Sequence, residues 1–149
     1  MTNVFAIMLH RKVQLVNQSS QPVSTEADAG HMVIGNVCFV GKINGAVFLV
    51  FSGAFSKYAA THILGMSEAE VEMEGHSVIK DVIGELTNMT AGGFKNTLSD
   101  LGYPCKLTLP VIMSGNRLTV SASKSAQRQI FHFESEGHRI AADIQMLPD

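Results

Sequence analysis

GKINGAVFLVFSGAFSKYAATHILG, residues 41–65, decides the architecture. Asn44-Gly45 is a two-residue hairpin signal between apolar runs. Upstream, His31 to Val40 places Val33, Val37 and Phe39 on one parity, so a strand enters the turn. Downstream, Ala46 to Phe51 is a nearly continuous apolar run rich in Val and Phe, the pattern of a buried strand. Ser52 is placed to accept a hydrogen bond from a first-turn N–H and cap a helix running through Ala54 to Leu64. Gly65 is its stop.

On the C-terminal side, Ser67 with Glu70 three residues on forms a capping box. It opens a helical region that breaks near Gly75 and runs to about Ala91. Gly92-Gly93 is expected to interrupt it, leaving Phe94 to Leu101 as a further helix ended by Gly102. Strands are expected over Lys106–Met113, Arg117–Ser123, Gln129–Ser135 and His138–Met146. Ser114-Gly115-Asn116 and Ser135-Glu136-Gly137 serve as turn signals, and Pro110 marks an edge or a bulge. On the N-terminal side, Val4–Lys12 suits a short helix and Asn17–Gly30 a loop or exposed edge strand. The order predicts an α+β fold, a mostly antiparallel sheet with helices packed on one face, in a single domain over residues 1–149.

Composition narrows the function. The chain has 149 residues, 46% apolar and 16% charged, with a net charge of −2. That allows a real core and excludes disorder. No basic block points to nucleic acid or a membrane surface, and no run is long enough to span a bilayer. Cys38 and Cys105 sit in apolar strand contexts and read as reduced core thiols, although their separation allows a disulfide. MTNVFAIMLHRK resembles a signal peptide only weakly, because its apolar run is short and its basic residues follow that run. A soluble, cytoplasmic protein is expected. The six histidines lack metal-ligand spacing, so no metal is expected. No GxSxG elbow or phosphate-binding GxxxxGK[ST] loop is present. Most of the eight methionines read as core filler.

The chemistry concentrates in DVIGELTNMTAGG, residues 81–93. On a helical wheel Val78, Ile79, Val82, Ile83, Leu86 and Met89 form an apolar arc. Asp81, Glu85 and Asn88, at i, i+4 and i+7, stack on the opposite side. Gly92 continues that line and Gly84 flanks it. Helix-interior glycine costs roughly 1 kcal/mol relative to alanine, so glycines beside a polar line suit a close approach by another chain. A carboxylate there can pair a lysine, and a carboxamide can orient a water. Exposed Asp, Glu and Asn on an amphipathic helix are also commonplace, so spacing alone leaves both readings open.

Asp81, Glu85, Asn88 and Gly92 resemble the ExxNxxxG signature, preceded by an acidic or Ser residue, of the CheC/CheX/FliY phosphatases of bacterial chemotaxis. GKINGAVFLVFS, the helix ending HILG, and LPVIMSGN extend the resemblance over about Val33 to Val120. A single copy of the motif is CheX-like rather than CheC-like. The resemblance implies hydrolysis of the aspartyl phosphate of a phosphorylated CheY-like response regulator. By the same resemblance Asn88 orients the attacking water, Glu85 pairs the regulator's lysine, and Asp81, Gly84 and Gly92 contact the partner. It implies no cofactor of this chain's own, Mg2+ coming from the regulator, and a homodimer. Two other functions fit the residues: a non-catalytic adaptor that binds a response regulator or flagellar-switch component, and a small-molecule binder.

Overall fold

The computed structural model describes residues 14–19, 31–116, 118–121, 125–135 and 137–147. Among these residues seven strands are all paired antiparallel: β1 (Gln14–Ser19), β2 (His31–Gly41), β3 (Gly45–Ser52), β4 (Cys105–Leu107), β5 (Val111–Asn116), β6 (Gln127–Ser135) and β7 (His138–Met146). The order is β1-β6-β7-β3-β2-β4, with β5 also pairing β2. Three helices, α1 (Gly53–Leu64), α2 (Glu68–Glu74) and α3 (His76–Asp100), lie between β3 and β4 in the chain.

The helices share one apolar cluster with one face of the sheet. It joins Val33, Phe39, Leu49, Phe51 and Ile140 to Phe55, Ala60, Val82, Ile83 and Leu86. The α+β expectation therefore holds. The other face has a smaller cluster of its own, built from Met32, Ile34, Val50, Ile130 and Ala141 under Val120 and Leu118. On this face Asp143 is fully buried and is paired bidentately by Arg128.

The caps follow the sequence. Ser52 Oγ accepts from Phe55 N–H at 3.1 Å, and Gly65 closes α1 in the left-handed region at φ 67°. Ser67 Oγ accepts from Glu70 N–H at 3.2 Å. Gly75, also at φ 67°, separates α2 from α3 as expected.

Five local expectations are corrected. α3 does not break at Gly92-Gly93; it continues to Asp100. Phe94 and Leu98 pack on the core side, with the Phe94 ring edge-on to Phe39 at 5.5 Å. Burying such side chains yields about 1.5–3 kcal/mol each, more than one helical glycine costs. Asn44-Gly45 is not a two-residue turn, because Phe39 pairs Gly45 and β2 runs on to pair β4. Asn44 Oδ1 instead accepts from Gly41 N–H at 3.0 Å.

The strand expected over residues 106–113 is two strands. Three steps along β2 from Phe39 to Asn36 face four steps from Leu107 to Val111, so a one-residue bulge surrounds Pro110, which has no N–H to give. Ser114-Gly115-Asn116 lies inside β5 rather than in a turn. Residues 118–121 form no strand; side chains replace the ladder, with Arg128 donating to Val120 O at 2.7 Å and Gln145 Nε2 to Ser121 O at 3.3 Å. The Gly137 turn at φ 78° joins β6 to β7 as expected. Cys38 and Cys105 are both free thiols. The expected Val4–Lys12 helix lies outside the described residues; of Asn17–Gly30, only residues 17–19 are described, and they belong to β1 at the sheet edge.

Candidate functional site

α3 positions every residue of the polar line. Its inner side buries Val82, Ile83, Leu86, Thr87, Thr90, Ala91 and Leu98. Asp81, Glu85 and Asn88 are exposed. Along the axis, Glu85 and Asn88 stand about 4.5 Å apart and Asp81 and Asn88 about 10 Å, at 1.5 Å per residue. No described residue gives the side chain of Asp81, Glu85 or Asn88 a hydrogen bond or ion pair. Their polar atoms are thus available to water or to another molecule.

Two threonines hold the inner side. Thr87 Oγ1 donates to Ile83 O at 2.6 Å and Thr90 Oγ1 to Leu86 O at 2.7 Å. These bonds run back along the helix, so burying the hydroxyls leaves neither without a partner. Thr87 faces Gly35 of β2, where any β-carbon would overlap its Oγ1. Gly35 therefore lets α3 settle close to the sheet between the two exposed residues Glu85 and Asn88. Sequence reasoning missed both positions. The available signal was a glycine within the apolar strand run VIGNV, residues 33–37, which marks a close backbone approach.

The glycines differ. Gly84 is half-buried and turns toward β5; a β-carbon there would rest 3.9 Å from Ile112 Cγ1. Gly92 is half-buried with nothing within 4 Å of its β-carbon position, and Gly93 is exposed with the same open space. Among the described residues no group of three or more His, Cys, Asp or Glu could hold a metal ion. No described helix is long and apolar enough to cross a membrane.

Helices laid over one face of an antiparallel sheet give an α+β architecture, and solved CheX and CheC-like structures share it. The family described as Chemotaxis phosphatase CheX matches residues 33–134, well over half of the sequence, and the chain belongs to this family. Comparison with curated proteins finds no match. Among solved structures, a CheC-like superfamily protein from Shewanella sp. PV-4 is 26% identical at a TM-score of 0.83, the match covering 99% of this chain and 92% of that one. Chemotaxis protein CheX from Vibrio vulnificus is 22% identical at 0.81, covering 97% and 92%. The structure of a CheX–CheY–BeF3–Mg2+ complex from Borrelia burgdorferi aligns at 0.78 with 20% identity, covering 98% and 92%.

Proposed function

We propose that this protein stimulates hydrolysis of the aspartyl phosphate on a CheY-like receiver domain, with Glu85 and Asn88 as its catalytic residues. The observation that carries the reading is an exposed acid and an exposed amide three residues apart on a helix seated against the sheet. Membership of a family described as a chemotaxis phosphatase supports it, as does the relative in complex with CheY.

The acyl phosphate is already reactive, so the task is to place a water and balance charge. Asn88 Oδ1 accepts a hydrogen bond from the water and its Nδ2 donates to a neighbouring acceptor, fixing the line of attack. An amide has no proton-accepting role at neutral pH, so it works by orientation. Water attacks phosphorus, the phosphorus–oxygen bond to the aspartyl group breaks, and carboxylate and inorganic phosphate leave. Glu85 pairs the receiver's lysine, and Asp81 adds a docking contact. Gly92 admits the partner's surface, while Gly84 keeps the flank beside it low. Mg2+ is the receiver's contribution.

A homodimer is part of the same reading. Beyond its pairing to β2, β5 has no second strand partner among the described residues, and Leu109, Val111 and Met113 are exposed along that edge. Light scattering after gel filtration tests it, and a monomer mass at working concentration refutes it.

The central test is the decay of labelled aspartyl phosphate on candidate receiver domains. The native protein accelerates the decay and Asn88→Ala does not, at an unchanged melting temperature. An Asn88→Ala protein that still accelerates the decay refutes the assignment. A native complex that forms without changing the rate identifies the non-catalytic adaptor instead.

A further inference from the structure

A cavity of about 790 Å3 lies at the start of α3. The N-cap Ser52 with Gly53, Ala54 and Lys57 of α1, Val71 and Glu72 of α2, and His76 and Ile79 of α3 form its walls, with His31 of β2 and Ser114 of β5. That size falls within the roughly 300–1,000 Å3 of small-molecule sites. None of Asp81, Glu85 and Asn88 lines it.

The lining divides by chemistry. Val71 is buried and Ile79 half-buried, giving an apolar floor. The polar side chains are His31, His76, Lys57, Ser52, Ser114 and Glu72, the last paired with Lys57. His76 Nδ1 stands 3.4 Å from Ser114 Oγ, which steadies the ring. His31 lies on the start of α1, where a β-carbon at Gly53 would be 3.2 Å from its Cδ2. Lys57 reaches Glu72 at 3.8 Å with both side chains more than half exposed, a pair weak enough to exchange for a ligand. The start of α1 adds partial positive charge to the same wall.

We propose that this cavity binds a small organic anion, a carboxylate or phosphate head on an apolar body. The head meets His31, His76 and Lys57, and the body covers Val71 and Ile79. A neutral ligand makes no use of Lys57 or of the partial positive charge at the start of α1. Bare phosphate leaves the apolar floor wet.

The test is titration of the full chain followed by NMR of methyl groups and histidine rings. Phenyl phosphate and benzoate serve as probes, with inorganic phosphate and benzyl alcohol as controls. Saturating shifts at His31, His76, Val71 and Ile79 are expected with at least one aromatic anion, and the stronger probe identifies the head group. Both controls bind about tenfold more weakly, as the loss of a charged hydrogen bond or of the apolar contact requires. His76→Gln and Lys57→Gln, at exposed positions, each weaken binding about tenfold. Ala54→Phe, also at an exposed position, fills the space and removes binding at a preserved melting temperature. Absence of saturating shifts with both aromatic anions overturns the proposal, as does unchanged affinity in the His76→Gln/Lys57→Gln chain.

Discussion

Thr87 of α3 occupies the space that Gly35 of β2 leaves empty. A β-carbon at position 35 would overlap Thr87 Oγ1 and lie 3.0 Å from both Thr87 Cβ and Cγ2. Because Thr87 falls between Glu85 and Asn88, this contact sets how far the polar line stands from the sheet.

Gly35→Ala is expected to cost about 1–3 kcal/mol, the range for overpacking a tight core. Thr87→Ala in the same chain removes Oγ1 and Cγ2 and recovers part of that loss. Urea denaturation of both single variants and the double one measures the coupling. Strictly additive losses would show that the two residues do not restrain one another.

Glu85→Ala and Glu85→Gln are expected to change stability by less than about 0.5 kcal/mol, because the side chain is exposed and bonds no described residue. On the proposed pairing of Glu85 with the receiver's lysine, both should lower the accelerated phosphate decay, since neither alanine nor an amide carries the charge. Thermal melting run beside the decay assay separates the two effects. A fall of many degrees in Glu85→Gln would mark the carboxylate as a structural group.

Gly92 and Gly93 form an internally controlled pair. Both have open space at the β-carbon position within a continuous helix, so alanine at either should stabilise the fold by about 0.5–1 kcal/mol. Gly92→Ala should at the same time weaken binding to the receiver domain, and Gly93→Ala should weaken it less. Calorimetric titration of both variants checks this. Equal, native-like binding would remove Gly92 from the interface.

Asp143→Asn leaves the nearly buried Arg128 guanidinium without its counter-charge. A loss of about 3–5 kcal/mol is expected, as for breaking a buried pair from one side. Replacing both partners, as Arg128→Met with Asp143→Leu, should cost far less. The pair lies on the face away from the helices, so phosphatase activity per folded molecule should not change. Denaturation curves, with activity measured well below the transition, test both statements.

Periodicity carried much of the architecture. The alternation in β2 and β7, the apolar run of β3 and the caps at Ser52, Ser67 and Gly65 all stand where local chemistry puts them. The wheel over residues 78–92 also placed Asp81, Glu85 and Asn88 outward, as observed. The misreadings arose where a distant partner outweighed a local preference. Paired glycines favour a break, but the burial of Phe94 and Leu98 keeps α3 whole. Asn44-Gly45 favours a tight turn, but pairing with β4 extends β2 past it. Residues 118–121 have strand-forming side chains, yet Arg128 and Gln145 claim their carbonyls. The seat that Gly35 provides was hidden because a glycine in a strand does not say which helix will lie over it.

The place of β7 bears on how the protein is made. It is synthesised after every other described strand, yet it lies between β3 and β6 in the middle of the sheet. Until it leaves the ribosome, the AVFLVF edge of β3 has no neighbour on that side and is open to stray pairing. The sheet over which the helix bearing Glu85 and Asn88 lies is therefore incomplete until the last described strand is in place, and chains cut short before residue 138 should be captured by chaperones or precipitate.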